Sequence, residues 1–427
     1  MSRASHSALQ VTLRNGLPPS LFEALMKAVV VAHDLRLPCY LVGGPVRDLL
    51  LGRTVDDIDL VFEGNALVVA ERFAAQVGGQ ITRHTAFGTA NVTVEVAGRR
   101  LDVDFVTARS ESYPEPAALP VVRPATIADD LRRRDFTINT LALDLSRMDA
   151  FTLLDLCGGV PDLRSRIIRV LHDRSFVDDP TRIVRAARFA ARLGFDIEPH
   201  TQALAIGAAS EGMIERTSPA RILHELWLTF REPAPQAVFA ILAHQGALDH
   251  IVPTLSWTPE LAQTMAAIRA LDVPPEEQRM LLLGLLAWAL SPAGREAFVR
   301  RYGFSTVERR IIAESGALPA IIATIEEQDL RPSELDRMLH GLGDTALLLG
   351  EIVAPSRTGH TLAHYRQKLR PMRTLLNGDD LAALGIPPGP QYRPLLAGLR
   401  AAQLDGHVET RAEAERWVLD HLHQGES

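Results

Sequence analysis

The chain has 427 residues, 47% apolar and 23% charged, which excludes disorder, collagen and low-complexity fibre and predicts roughly two to four domains. A net charge of −7 excludes a dedicated basic nucleic-acid binder, so any contact with RNA must come from local patches. The cysteines, Cys39 and Cys157, are too few for a disulfide scaffold or a Cys-based zinc site.

Residues 1–16 are polar and lack the apolar stretch of a secretory leader. The longest apolar run, Met280 to Leu290, is about half of the roughly 20 residues that a membrane span needs. The chain is therefore expected to be cytoplasmic, with no membrane contact. Residues 19–36 predict an amphipathic helix opened by Pro19 and Ser20. Pro38–Val42 reads as a short strand, followed by a Gly-Gly turn and a helix over 46–51. A strand is expected over 58–62 and a helix over 66–77. Residues 90–96 and 101–107 alternate apolar and polar positions, the mark of half-buried strands. Pro114, Pro116, Pro120 and Pro124 break that pattern and predict a loop of about 15 residues. After residue 128 the pattern is almost wholly helical, with helices expected over 177–193, 199–213, 219–230, 234–246 and 259–270. The expected architecture is a small mixed α/β head followed by a long all-helical body. Its predicted divisions are an N-terminal helical extension (1–36), the head (37–150), a helical neck (151–255) and a helical tail (256–427).

The residues that carry chemistry cluster in the first half. Gly43 and Gly44 open a short helix and let backbone amides approach a phosphate, with Arg47 one turn further on. Asp57 and Asp59 are spaced to project from one face of a strand. Two adjacent carboxylates repel one another, and a hard divalent cation such as Mg2+ removes that cost. Asp102 and Asp104 repeat the spacing on a later strand, and Asp104 is the expected third carboxylate of a two-metal displacement at phosphorus. Of Arg132, Arg133 and Arg134, which lead into an apolar segment, Arg134 is expected to face the triphosphate or ribose. In the segment from Asp178 to Arg192, Asp178 or Asp179 caps a helix with Pro180 in its first turn. Arg182, Arg185, Arg188 and Arg192 fall on one side of it, and a like-charged stripe needs an anion to face.

These blocks resemble the class II nucleotidyltransferases, the family of bacterial tRNA 3′-end (CCA-adding) nucleotidyltransferases and poly(A) polymerases. The similar segments are LVGGPVRDLLLG (41–52), DIDLVFEGNA (57–66), FGTANV (87–92), DFVTARSESY (104–113), DDLRRRDFTIN (129–139), DLCGGVPDLRSRIIRV (155–170) and DDPTRIVRAARFAARLGF (178–195). The resemblance implies that Asp57 and Asp59 are the metal-binding catalytic pair. It implies that Gly44, Arg47 and Arg134 bind the nucleoside triphosphate, that Asp179 and Arg182 read the base, and that Arg185 and Arg188 hold the same nucleotide. Asp178 replaces the family's usual Glu, one methylene shorter, in an expected ion pair with Arg182. A carboxylate beside a guanidinium matches the amine and ring nitrogen of cytosine and adenine, and mispairs with guanine and uracil.

The implied function is template-independent addition of C and/or A from CTP and ATP to the 3′ end of tRNA, with Mg2+ as cofactor. The helical body is expected to cradle the tRNA acceptor arm, and no obligate protein partner is evident. A poly(A) polymerase acting on other RNA is the alternative within the fold, and a non-catalytic RNA-binding relative the alternative outside catalysis. The segment SESYPEPAALP (110–120) is similar to that of single-A-adding members. His33-Asp34 and His172-Asp173 have no histidines nearby at ligand spacing, so no metal-dependent phosphohydrolase module is expected.

Overall fold

In the computed structural model, which describes residues 13–85, 88–96, 99–148 and 151–422, the head is built on a seven-stranded mixed sheet. Helix α1 (Pro19–Asp34) precedes β1 (Cys39–Val42), whose four residues are all buried. The chain then forms α2 (Gly44–Leu50), β2 (Ile58–Phe62) and α3 (Ala66–Val77). An antiparallel run follows: β3 (Gln80–His84), β4 (Thr89–Val96) and β5 (Arg99–Thr107). β5 returns to lie parallel to β2, with Asp59 in register with Asp104. Phe62, Phe73 and Phe105 are fully buried; Phe62 stacks on Phe105 with ring centroids 5.7 Å apart, and Phe73 lies 5.2 Å from the same ring. α1 packs on α3, β1 and β5, so the helix expected as an extension is part of the head. Residues 1–12 of that expected extension lie outside the described residues.

The proline-broken segment, expected as one long loop, is a two-stranded ribbon of β6 (Arg109–Ser112) and β7 (Val121–Pro124). Pro124 sits at its open end, where a missing N–H costs no ladder bond. The stretch after residue 128, expected to be helical, begins with α4 (Ile127–Arg132) but then adds β8 (Leu141–Asp144) and β9 (Thr152–Asp155) to the sheet beside β1. Short apolar runs such as Leu-Ala-Leu do not distinguish a buried strand from a helix by periodicity. The head boundary expected at residue 150 therefore falls inside the β8–β9 hairpin. β3 was likewise not among the expected strands.

Beyond the sheet come α5 (Thr181–Leu193), closed by Gly194, and α6 (Pro219–Phe230). The chain divides into two compact units, Met1–Ile251 and Val252–Ser427. In the second, α7 (Pro275–Ala289) is buried on nearly every side and packs on α8 (Thr306–Glu327) and α9 (Asp344–Val353). A Cβ at Gly284 of α7 would stand 2.6 Å from Ser315 Oγ of α8, which keeps this position small where the helices cross. Among the described residues no helix is long and apolar enough to cross a membrane.

Candidate active site

The turn between β1 and α2 depends on Gly43, whose φ of +72° lies in the left-handed region. A Cβ there would also meet Arg134 Nη1 at 2.7 Å. α2 is short but fixes Arg47, which is 4% exposed. Its Nη1 donates to Asn139 Oδ1 at 2.7 Å, and its Nε and Nη2 donate to the two oxygens of Asp48 at 3.0 and 2.8 Å.

Asp57 immediately precedes β2 and Asp59 lies within it. Burial, then the neighbouring charges of Asp57 and Asp104, push the Asp59 carboxyl up to about 6. Burial raises Asp57 as well. Asp104 is exposed and accepts from Asn91 Nδ2 at 2.9 Å. Asp102 on the same strand is held by the Thr93 hydroxyl. The result is a strained anionic cluster of hard oxygen donors, the chemistry that a divalent cation relieves. Among the described residues, no three His, Cys, Asp or Glu side chains form a ready-made metal cage. A cation held by Asp57 and Asp59 would complete its shell with water and phosphate oxygens.

Asp130 of α4 is fully buried. It receives Arg133 Nη2 at 2.7 Å, Arg134 Nη2 at 3.0 Å and the Arg109 amide at 3.3 Å. Burial opposes its ionisation, but the Arg134 and Arg133 guanidiniums outweigh burial and hold its carboxyl below the usual range. Glu111 of the ribbon takes Arg133 Nη1 at 2.8 Å. Sequence reasoning singled out Arg134 but missed Asp130, although its spacing to Arg133 and Arg134 (i+3, i+4) was a readable signal.

On α5, Arg185, Arg188 and Arg192 of the expected stripe meet anions, but these belong to the protein. Arg185 donates to Asp135 Oδ2 at 2.6 and 3.0 Å. Burial works against the Asp135 charge, yet Arg185 draws its carboxyl down to about 2. Arg188, 8% exposed, ends on Glu225 and Glu232, and Arg192 also ends on Glu232. Arg182 donates to Ser175 Oγ at 2.7 Å and to the Arg133 carbonyl at 2.8 Å. The expected Asp178–Arg182 pair is not formed; Asp178 pairs instead with Arg174, one helical turn away at 3.2 Å. Asp179 bonds the Thr181 amide and hydroxyl, and Pro180 rather than an aspartate occupies the N-cap position of α5. The Phe189 ring has the guanidinium carbons of Arg47, Arg185 and Arg192 at 5.2, 5.5 and 5.6 Å from its centre, within cation–π range.

These elements enclose a cavity of about 620 Å³, a size that suits a nucleotide. Gly44, Arg47, Asp57, Asp59, Arg134, Asp179, Arg182 and Arg185 all line it. Of the expected residues, Gly43, Asp104 and Arg188 are not on its wall. The first shapes the turn and the second adjoins Asp59. Arg188, expected on the nucleotide, is instead locked between Glu225 and Glu232 and lies off that wall. Asn139, Phe189 and Arg221 also line the cavity and were missed, because their placement depends on contacts between distant segments.

Two family models match the chain: "Poly A polymerase head domain" over residues 39–169 and "Probable RNA and SrmB- binding site of polymerase A" over 194–258. An A-adding tRNA nucleotidyltransferase of Geobacter sulfurreducens is 37% identical over 90% of the chain, and the chain spans 45% of that relative's length. A CC-adding tRNA nucleotidyltransferase of Deinococcus radiodurans is 34% identical over 89% of this chain and 88% of its own. A solved apo structure of a CCA-adding enzyme superposes with a TM-score of 0.81 at 29% identity, over 97% of this chain and 98% of that one.

Proposed function

The chain belongs to the family of tRNA nucleotidyltransferases and poly(A) polymerases, and we propose that it transfers adenylate from ATP to the 3′ end of a tRNA already ending in CC. The observation that carries nucleotidyl transfer is the carboxylate pair Asp57 and Asp59 on the wall of the cavity that Arg47 and Arg134 also line. The choice of A is supported by the 37% identity to the A-adding relative and by the similarity of segment 110–120 to that of single-A-adding members.

Asp57 and Asp59 would hold Mg2+, which lowers the pKa of an attacking hydroxyl and neutralises a leaving pyrophosphate. Arg47 and Arg134 grip the triphosphate so that its α-phosphorus faces the tRNA 3′-hydroxyl. The hydroxyl oxygen bonds to that phosphorus, the bond to the β-phosphate bridging oxygen breaks, and pyrophosphate departs. Asp104, adjoining Asp59 in register, is the carboxylate to accept the hydroxyl proton. Asp179 accepts from the adenine amine while Arg182 donates a remaining N–H to N1. Guanine and uracil present a carbonyl and an N–H at the same edge and leave both side chains mispaired. Cytosine shares the adenine pattern, so this edge rejects G and U, and size must separate A from C. The helical body would hold the tRNA acceptor arm, and such substrates make the protein cytoplasmic.

The test offers tRNAs ending before C74, before C75 and before A76, each with ATP or CTP, and reads product length. One A added only to the CC-ending tRNA is expected. Addition of C would overturn the adenylate reading in favour of CC or CCA synthesis, and a long A tail would favour poly(A) polymerase. Asp57→Ala or Asp59→Ala should leave less than about a tenth of turnover with no fall in Tm. More activity than that would refute the metal-pair role.

A further inference from the structure

Asp179 is pinned through one oxygen. Its Oδ1 accepts from the Thr181 amide at 3.1 Å, the Thr181 hydroxyl at 2.6 Å and Arg221 Nη2 at 2.6 Å. Among the described residues no donor reaches Oδ2. Arg221 stands in the first turn of α6 and lines the same cavity as Asp179. Its Nη1 reaches the Ala117 carbonyl at 3.5 Å. Ala117 belongs to the turn between β6 and β7 and is buried, with a φ of +62° that non-glycine residues rarely adopt. Its amide donates to the Val177 carbonyl at 2.9 Å, two residues before Asp179. The strained turn is thus held on one side by the segment carrying Asp179 and on the other by the arginine that holds Asp179.

We propose that Arg221 is a positioning residue for base selection. It saturates Oδ1 so that Oδ2 alone meets the incoming base, and it ties the 113–120 turn to that setting. The chemistry makes the consequence specific. A carboxylate presenting one oxygen accepts one amine hydrogen, as adenine offers beside its N1 acceptor. A carboxylate released to rotate presents both oxygens, and these match the adjacent N1–H and 2-amine of guanine. Arg221 therefore acts against guanine by denying it the second oxygen. This inference rests on the base-reading role proposed for Asp179.

The experiment measures kcat/KM for ATP, CTP, GTP and UTP on CC-ending tRNA, with the full chain. Arg221→Ala should lower the ATP:GTP ratio by about 10-fold or more, the scale of one charge-assisted hydrogen bond, with GTP use rising relative to UTP. Arg221→Lys keeps a charge that can reach Oδ1 and should recover part of the ratio. Thr181→Val removes a different donor to the same oxygen and should move the ratio in the same direction, which keeps the proposal testable should Arg221→Ala fold poorly. Slowing of all four triphosphates with an unchanged ATP:GTP ratio in Arg221→Lys and Thr181→Val would overturn it. A wild type that adds C rather than A would refute the adenylate reading alone, and Arg221 would then be judged by the CTP:GTP ratio.

Discussion

Arg188 is held between the carboxylates of Glu225 and Glu232. The spacing of the arginines on α5 was visible, and so was the need for an anion. The partners were not, because Glu225 and Glu232 stand 37 and 44 residues further on. Asp57, Asp59 and Arg47 were legible because strand alternation and a Gly-Gly turn are local chemistry. The two kinds of arginine should respond differently to removal. Arg188→Met leaves two buried carboxylates competing for Arg185 and Arg192. Breaking a buried pair typically costs about 3–5 kcal/mol. The variant should lose that much in urea unfolding while the KM for ATP changes less than about twofold in the protein that stays folded. A large rise in KM with little loss of stability would return Arg188 to the nucleotide.

At the scale of elements, the sheet explains why the carboxylates form a cluster at all. β2 and β5 are parallel neighbours, and their register sets Asp59 beside Asp104 although the two lie 45 positions apart in the sequence. The alternation of β5 and the run of β-forming residues in β2 were readable, but parallel pairing and register were not, since neither is encoded within one strand. β8 and β9 escaped for the related reason that four-residue buried strands carry no period. The register has a measurable consequence. Asp59 ionises near 3.8 in an ordinary setting and at about 6 in the folded chain. Its protonated form therefore favours folding, a contribution present in full below about 3.8 and lost as pH rises through about 6. A bound divalent cation would replace the proton and restore what is lost. The Mg2+-induced rise in Tm should be clear at pH 7.5, shrink as pH falls through 6 and nearly vanish at pH 5. Asp59→Asn should remove most of the rise at pH 7.5. A Mg2+ shift that is the same at pH 5 and 7.5 would show that the cation binds elsewhere.

The whole molecule divides its work in a way that calorimetry can read. The two-part plan of an α/β head and a helical body was visible in sequence, because long amphipathic helices announce themselves. The head and the helices through Ile251 form one compact unit, so the division lies near the expected neck–tail boundary at 255 and not at the expected head boundary at 150. That first unit carries every residue lining the cavity of Asp57 and Asp59, and its core includes Phe62, Phe73 and Phe105. The second has its own apolar interior around Leu281, Leu285, Phe298 and Leu318, with a further cluster around Leu381 and Leu399. Units with separate cores are expected to unfold in separate transitions. A ligand stabilises only the native state that binds it, by about 2.7 kcal/mol at a hundred times its Kd. For a unit of this size each kcal/mol moves Tm by about 2–4 °C. Saturating ATP with Mg2+ should therefore raise one transition by about 5–11 °C and leave the other in place, and Asp59→Asn should weaken the response of the same transition. Two transitions moving together would show that the units unfold as one body. A shift confined to the transition that Asp59→Asn does not affect would place the nucleotide outside the first unit.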